Sequence, residues 1–394
     1  MKFINKEIFF RLFDYKFLPY AWDSNRTEII KLNIQNDVDS YYVSFKSAES
    51  LRFLKKVISE PILNQIINSD LYLTLDNSLE SFHDVVEAIY QYAVLGLGIP
   101  EEKIILFTVS PDIADHLKSV ANSLGKKEFK CKCLNYAEWQ VQVDKKYLLD
   151  SGNDIQTLEN KHYDKKFIYF NRRWRLHRTT LISLLYSIGC LDKGHVSFVK
   201  HDAADNRYWS ATGWEPHWNQ IENSASEEIL NIITPNKENI FNITDMYLDN
   251  TNLDNVFGTA VSSALNHKTD YLYQSSYFSL SSETNFYDYE HARHFSEKTY
   301  KPIAQKHPFI LISKPRSLEL LRSMGYMTFS PFINESYDKE FDNNKRLLMI
   351  ARETERLSNL NPDELRVFLN GVRSICQYNL DVLLNKTDFV FDLN

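Results

Sequence analysis

The segment NRRWRLHR (171–178) places four arginines and one histidine at a turn between a predicted strand and a predicted helix. The strand pattern is KFIYF (166–170), and apolar residues recur at helical spacing after the turn. Guanidinium groups suit bidentate binding of phosphate, and a helix N-terminus adds a partial positive charge. The alternative is a solvated basic helix start, although basic residues there oppose the helix dipole. The predicted anion-binding residues are Asn171, Arg172, Arg175 and Arg178.

A second polar cluster lies in HFSEKTYKPIAQKHPFIL (294–311), directly before a predicted buried strand. It combines a typical N-cap serine, a carboxylate that can accept hydrogen bonds from sugar or ribose hydroxyls, and two lysines. Its candidate binding residues are Ser296, Glu297, Lys298 and Lys301. Pro302 removes a backbone donor where the helix should already be formed. The helix is therefore either kinked there, or a single turn at 296–300 precedes a helix that begins at Pro302.

These clusters follow strands in a regular α/β pattern. Short apolar runs alternate with amphipathic helices along most of the chain. The predicted strands include LYLTL (71–75), KIILFTV (103–109), CKCLNY (131–136), KFIYF (166–170), YFSL (277–280) and PFILIS (308–313). This alternation predicts parallel sheets with crossover helices, and ligands of such sheets bind beyond the carboxyl ends of the strands.

The length of 394 residues predicts more than one domain. A polar stretch at residues 150–165 separates two α/β regions. We predict two Rossmann-like domains in tandem, at residues 1–155 and 160–345. Residues 346–394 are predicted to form helices that pack back across the junction, the last of them starting at the cap Asn361-Pro362.

Composition narrows the class of protein. The formal net charge is −7, so a global basic field that would hold nucleic acid is absent, although a local basic cleft remains possible. The four cysteines have no metal-ligand spacing and indicate reduced thiols. No apolar run reaches the ~18 residues of a membrane span, and the first residues lack a signal-peptide cleavage site, which predicts a cytoplasmic protein.

No resident metal or cofactor is predicted. The sequence has no Cys/His set with zinc spacing and no glycine-rich phosphate loop. Asp37-Val38-Asp39 is an Asp-x-Asp pattern, but such a pair arises easily by chance and is distant from the basic clusters. The absence of a glycine fingerprint argues against a dinucleotide oxidoreductase or a P-loop ATPase.

The order YFSLSSETNF, a short gap, and HFSEKTYKPIAQKHPFILI resembles the donor-binding segment of nucleotide-sugar glycosyltransferases of GT-B architecture. It is most similar to the fucosyltransferase pattern, in which a strand and a Glu-Asn pair precede a Thr-Glu-Lys helix start; here Ser296 replaces the threonine. Residues 166–356 also resemble glycosyltransferase-like proteins of phages and large viruses, which carry similar SEKTYKPI, PFIL and ESYD segments. If the protein is viral, the cytoplasm is that of the host.

The resemblance implies a metal-independent glycosyltransferase with a nucleotide-sugar as co-substrate. The donor's sugar and diphosphate would be contacted by Glu283, Asn285, Glu297 and Lys298, with the arginine cluster facing the diphosphate. The acceptor would be a hydroxyl of a glycan or, in a viral setting, of a modified DNA base. The alternative is a non-catalytic module that binds nucleotides or anionic glycans. Donor identity and oligomeric state are left open.

In this architecture the first domain often supplies the acceptor side and the catalytic base. Asp76, at the end of LYLTL, is the leading candidate for a base, with Glu80 and His83 in the following helix. The alternatives are a turn residue for Asp76 and a solvated helix position for His83. Aromatic faces stack on sugars and bases, which predicts an acceptor surface in 200–220; the alternative is a loop anchored by its own tryptophans. The predicted acceptor residues are Trp209, Trp214, His217 and Trp218.

Overall fold

The computed structural model describes residues 29–32, 40–44, 48–77, 84–150, 165–171, 174–198, 215–243, 248, 267–287, 293–387 and 390–392. The chain forms two compact units. Unit 1 comprises Met1–Tyr136, His291–His294 and Thr387–Asn394, and unit 2 comprises Ala137–Glu290 and Phe295–Lys386. Each unit has its own sheet with parallel strands, which confirms the α/β class.

Ten strands lie in the described parts of the chain. They are β1 Ile29–Leu32, β2 Ser40–Ser44, β3 Tyr72–Asn77, β4 Ile104–Thr108, β5 Lys130–Leu134, β6 Phe167–Tyr169, β7 Gly194–Val196, β8 Phe278–Ser282, β9 Phe309–Ile312 and β10 Val390–Asp392. All six strand patterns found in the sequence correspond to one of these strands.

The α-helices of the described residues are unevenly distributed, and the longest lie in unit 2. They are α1 Leu54–Val57, α2 Glu60–Asn68, α3 Val85–Ile89, α4 Ile113–Leu124, α5 Tyr136–Asp150, α6 Leu176–Ser187, α7 Glu215–Ser224, α8 Glu227–Ile233, α9 Lys237–Phe241, α10 His267–Gln274, α11 Glu297–Ala304, α12 Ser317–Ser323, α13 Asn343–Ser358 and α14 Pro362–Asn385. Helix α3 continues as a π-helix over Tyr90–Leu95. No helix among the described residues is long and apolar enough to cross a membrane.

The sheet of unit 1 has the order β1-β2-β3-β4-β5-β10. Strands β2 to β5 are parallel, while β1 and β10 pair antiparallel at the two edges. Leu73 and Leu75 of β3 and Leu106 of β4 point to the face that packs against the helices, as the alternation of side chains along a strand requires. Among the described strands of this sheet, the order follows the chain without reversing.

The sheet of unit 2 has the order β7-β6-β8-β9, and all its pairs are parallel. From β6 the chain moves to β7 on one side, and it later returns to β8 on the other side. The order therefore reverses between β6 and β8. At such a reversal the connections leave the sheet on opposite faces, which opens a crevice at the carboxyl ends of the two strands.

Local sequence signals mark the ends of several helices. Helix α4 ends at Gly125, with φ of 62°, and α6 is followed by Gly189, with φ of 67°. Both glycines adopt the left-handed conformation that terminates helices and that other residues adopt at a cost. The predicted cap of α14 is confirmed, because Asn361 and Glu364 form a capping box. In contrast, Asp76, for which a turn position was the alternative role, lies within β3, and Asn77 ends that strand.

The proline in the Ser-Glu-Lys segment lies within a single helix. Helix α11 runs through Pro302, so the prediction of a new helix starting at that residue is wrong. Pro302 has no N–H to donate to the carbonyl of Lys298, four residues earlier. The hydroxyl of Ser281 in β8 donates to that carbonyl instead, at 2.5 Å. A side chain of the sheet thus replaces the backbone bond that proline removes.

Helix α5 and the last helices belong to unit 2. Glu138 of α5 accepts from the hydroxyl of Tyr326 at 2.6 Å and pairs with Lys386 at 2.9 Å. Gln142 donates to the carbonyls of Leu383 and Lys386, at the end of α14. After α14 the chain joins unit 1, where β10 pairs with β5.

Candidate functional site

The reversal in the sheet of unit 2 brings two predicted polar segments together. β6 leads into Phe170 and Asn171, the start of the arginine-rich turn, and β8 leads into Glu283. Because β6 and β8 are adjacent and parallel, their carboxyl ends lie at the same edge of the sheet. The site is therefore described from these two strand ends.

Arg178 links the first turn of α6 to the end of β8. Its guanidinium donates to the main-chain oxygen of Ser282 at 2.7 Å and to that of Glu283 at 3.2 Å. Its Nε also donates to the hydroxyl of Ser282 at 3.2 Å. Burial lowers the pKa of Arg178, yet the guanidinium of an arginine stays protonated. Arg178 therefore places a buried positive charge at the strand end.

The carboxylate of Glu283 fixes the start of α11. It accepts from the backbone N–H of Ser296 at 3.0 Å, from the Ser296 hydroxyl at 2.6 Å and from the Thr299 hydroxyl at 2.5 Å. A negative charge near a helix N-terminus is favourable because it meets unsatisfied N–H groups and the positive end of the dipole. Through Glu283, the arginine-rich turn and the Ser-Glu-Lys turn meet at one strand end.

The exposed part of this cluster is the first turn of α11. Ser296 is the N-cap and accepts from the N–H of Lys298 at 3.3 Å. The ammonium group of Lys298 donates to Glu297 at 2.8 Å, and the two side chains are 29% and 37% exposed. Burial raises the pKa of Glu297, but Lys298 and Lys301 lower it more, so the pKa falls well below its usual range. Glu297 is therefore ionised and can accept hydrogen bonds from a ligand.

His177, next to Arg178, does not add to the positive charge of the turn. Its ring is fully buried and stacks on Phe286, with centroids 5.0 Å apart. Burial, followed by the charge of Arg178, lowers the pKa of His177 well below its ordinary value. The sequence pattern counted this histidine with the arginines, and the correction follows from its burial, which the local sequence does not reveal.

The other predicted donor residues are placed as follows. Arg175 is the N-cap residue of α6, half-buried, and Lys301 is half-buried on α11, one turn beyond Lys298. Asn285 is half-buried, two residues beyond Glu283. Arg172 lies outside the described residues. Asn171 is 2% exposed, and its N–H donates to the hydroxyl of Ser197 after β7, at 2.8 Å.

The two predicted acceptor residues that the structure describes, His217 and Trp218, are buried. Trp218 is fully buried in the core of unit 2, and its indole N–H donates to Glu222 at 2.5 Å. His217 stacks on Trp174, with ring centroids 3.9 Å apart. In this structure Trp218 is thus a core residue rather than an exposed stacking surface. Trp209 and Trp214 lie outside the described residues.

The predicted base lies in unit 1. Asp76 is 6% exposed at the carboxyl end of β3, whereas Glu80 and His83 lie outside the described residues. The sequence did not single out its neighbour Asn77 or Ser110 beyond β4. Asn77 and Ser110 are buried, and within the part of the chain that the structure describes neither amide atom of Asn77 nor the hydroxyl of Ser110 has a hydrogen-bond partner. The assignment of Asp76 as a base stays a prediction.

Searches for a metal centre and for relatives add no assignment. Among the described residues, no three His, Cys, Asp or Glu side chains come together as metal ligands would. No protein-family model matches the chain, and no curated protein matches it. The chemistry at the ends of β6 and β8 is therefore the basis for a functional assignment.

Proposed function

We propose that the protein is a glycosyltransferase that moves a sugar from a nucleotide-sugar to a hydroxyl acceptor. The observation that carries this proposal is the meeting of two polar turns at the end of β8. Arg178 donates to the main chain of Glu283, 105 residues further along, and the Glu283 carboxylate accepts from Ser296. A reversal of strand order at the same place is where open α/β sheets bind their ligands.

The proposed roles follow from exposure and charge. Lys298 and Arg175 are partly exposed and basic, so they contact the diphosphate, and the N-terminus of α11 adds its partial positive charge. Arg178 is buried against β8, so it holds the turn in place and contributes positive potential. Ionised Glu297 accepts hydrogen bonds from hydroxyl groups of the sugar or ribose.

The proposed reaction needs charge stabilisation above all. The bond between the anomeric carbon and the diphosphate oxygen breaks, and its electron pair leaves with the nucleoside diphosphate. The acceptor oxygen forms the new bond and gives its proton to a base, for which Asp76 remains the predicted candidate. Fixed positive charges at the leaving diphosphate lower the barrier, because negative charge develops there in the transition state.

The test is nucleoside diphosphate release from UDP-glucose, GDP-mannose and GDP-fucose, with glycan or duplex DNA as acceptor. We expect turnover of at least one donor, and Lys298→Ala should reduce it about 100-fold or more while the melting temperature stays unchanged. The matched control is Lys345→Ala, because Lys345 is a 67% exposed lysine on α13. That variant should keep full turnover.

Two outcomes would contradict the proposal. Equal turnover in Lys298→Ala and wild type would show that Lys298 does not bind the donor and that the site is wrongly assigned. Tight nucleotide binding by wild type, with no release or transfer from any donor, would instead identify a non-catalytic binding module.

A further inference from the structure

Two buried hydrogen-bond acceptors, one after β6 and one in the first turn of α6, have no donor among the described residues. Asn171 is 2% exposed and His177 is fully buried. Among the described residues, neither Oδ1 of Asn171 nor Nδ1 of His177 has a hydrogen-bond partner. Buried polar atoms in folded proteins are almost always paired, so two within the seven residues from Asn171 to His177 point to a specific use.

The chemistry of each atom defines what it needs. Nε2 of His177 lies 3.2 Å from the main-chain oxygen of Glu283, which can only accept, so Nε2 carries the hydrogen. The buried ring is uncharged, and Nδ1 therefore presents a lone pair. The amide oxygen of Asn171 is likewise an acceptor. Both atoms require an N–H or O–H donor.

An ionised phosphate cannot supply that donor, because its oxygens only accept. The neighbouring cations, Arg178 and Lys298, already favour an anion at this strand end. A ligand that satisfies every group must therefore join an anion to hydroxyl or N–H groups. Nucleotide-sugars have this composition, whereas inorganic pyrophosphate does not.

We infer that Asn171 and His177, whose acceptor atoms are enclosed in the free protein, become accessible when the phosphorylated ligand binds. They then accept hydrogen bonds from its hydroxyl or N–H groups and so select a sugar or nucleoside diphosphate over a bare polyphosphate. This inference rests on the proposed function, because it places the ligand at the same strand ends. Buried water is the competing explanation for such atoms, and it predicts no effect on ligand selection.

The test compares the binding of UDP-glucose, GDP-mannose and inorganic pyrophosphate by calorimetry. Asn171→Leu removes the acceptor while keeping the same branched arrangement of non-hydrogen atoms, and His177→Gln keeps a donor near Nε2 while losing Nδ1. Each variant should weaken nucleotide-sugar binding about 3- to 10-fold and leave pyrophosphate binding unchanged. His177→Asn, which retains a polar group near Nδ1, should bind the nucleotide-sugar more tightly than His177→Gln.

The matched control is Asn379→Leu. Asn379 is also a buried asparagine, but its amide is paired with the main chain of Met327. Its oxygen accepts from the Met327 N–H at 2.8 Å, and its NH₂ group donates to the Met327 carbonyl at 2.9 Å. Asn379→Leu should lower the melting temperature. Asn171→Leu should leave that of the free protein unchanged or raise it, because an unpaired buried polar group is lost.

The outcomes separate this inference from the proposed function. The inference is wrong if wild type binds pyrophosphate but binds neither nucleotide-sugar more tightly. It is also wrong if the variants bind the nucleotide-sugars and pyrophosphate as tightly as wild type does. In either case the proposal of an anion-binding site is retained. A melting temperature of Asn171→Leu that falls as far as that of Asn379→Leu would also overturn it. If wild type binds none of the three probes, the proposed function fails first.

Discussion

At the residue scale, Glu283 at the end of β8 has a structural role in addition to its predicted role in binding. The Glu283 carboxylate accepts three hydrogen bonds from the start of α11. Glu283 is fully buried, so these bonds hold its carboxylate inside unit 2. The resemblance to glycosyltransferases assigns Glu283 to the sugar, and its bonds to Ser296 and Thr299 add a structural role to that prediction.

The buried histidine makes a prediction about pH. Burial and the charge of Arg178 lower the pKa of His177 in the folded protein, while the unfolded chain keeps the ordinary value of about 6.5. Below that pH the unfolded state binds a proton that the folded state does not bind. The contribution of His177 to the free energy of unfolding should therefore fall by about 1.4 kcal/mol per pH unit as the pH drops below about 6.5.

Urea titrations of wild type and His177→Gln between pH 7.5 and 5, followed by tryptophan fluorescence, measure this slope. In the variant, the slope of the free energy of unfolding against pH should be smaller by the contribution of one proton. The contribution of His217, whose pKa is also lowered by burial, should remain. Equal slopes in the two proteins would show that His177 is not buried and neutral.

At the element scale, the sequence predicts well what depends on neighbouring residues. The capping box of α14 and the glycines after α4 and α6 act within a few residues, so local patterns locate them. The path of α11 through Pro302 was left open because Ser281, which supplies the missing donor, is 17 residues away from Lys298 on a strand. Only the packing of α11 on the sheet decides between the two possibilities.

Ser281 and Pro302 should therefore be energetically coupled. Ser281→Ala leaves the Lys298 carbonyl without its donor and should cost about 1–3 kcal/mol of unfolding free energy. Pro302→Ala supplies a backbone N–H in the normal helical position, so the cost of Ser281→Ala should be smaller in that background. The measurement is chemical denaturation of the wild type, both single variants and the double variant.

A second serine serves as the control for this cycle. Ser183 is a buried serine on α6 whose hydroxyl donates to the carbonyl of Thr179 at 3.0 Å. Its replacement by alanine should have the same effect with or without Pro302. Strict additivity of Ser281→Ala and Pro302→Ala would contradict the account of α11.

At the scale of the whole molecule, the two α/β sheets were predictable, but their strand orders and the membership of the units were not. Alternating strand and helix patterns are local, whereas strand neighbours are chosen across long stretches of chain. The short segment His291–His294 belongs to unit 1, where Arg293 pairs with Asp112 at 2.8 Å across 181 residues. The predicted first domain ended at residue 155, but α5 bonds Tyr326 and Leu383 and belongs to unit 2 from Ala137 onward.

The strand order also identifies the unit in which the ligand should bind. Among the described strands, only the sheet of unit 2 reverses its order, and there the basic and acidic side chains of two turns meet. The central claim is therefore that a nucleoside diphosphate binds at the ends of β6 and β8.

Hydrogen exchange of the full chain with ADP, CDP, GDP or UDP tests this claim most directly. The first amides of a helix lack partners within the helix, so a bound diphosphate should slow their exchange strongly. We predict protection at residues 176–178 of α6 and 297–298 of α11, with residues 72–77 and 104–108 of unit 1 unchanged. Protection confined to unit 1, or no protection by any of the four nucleotides, would contradict the account.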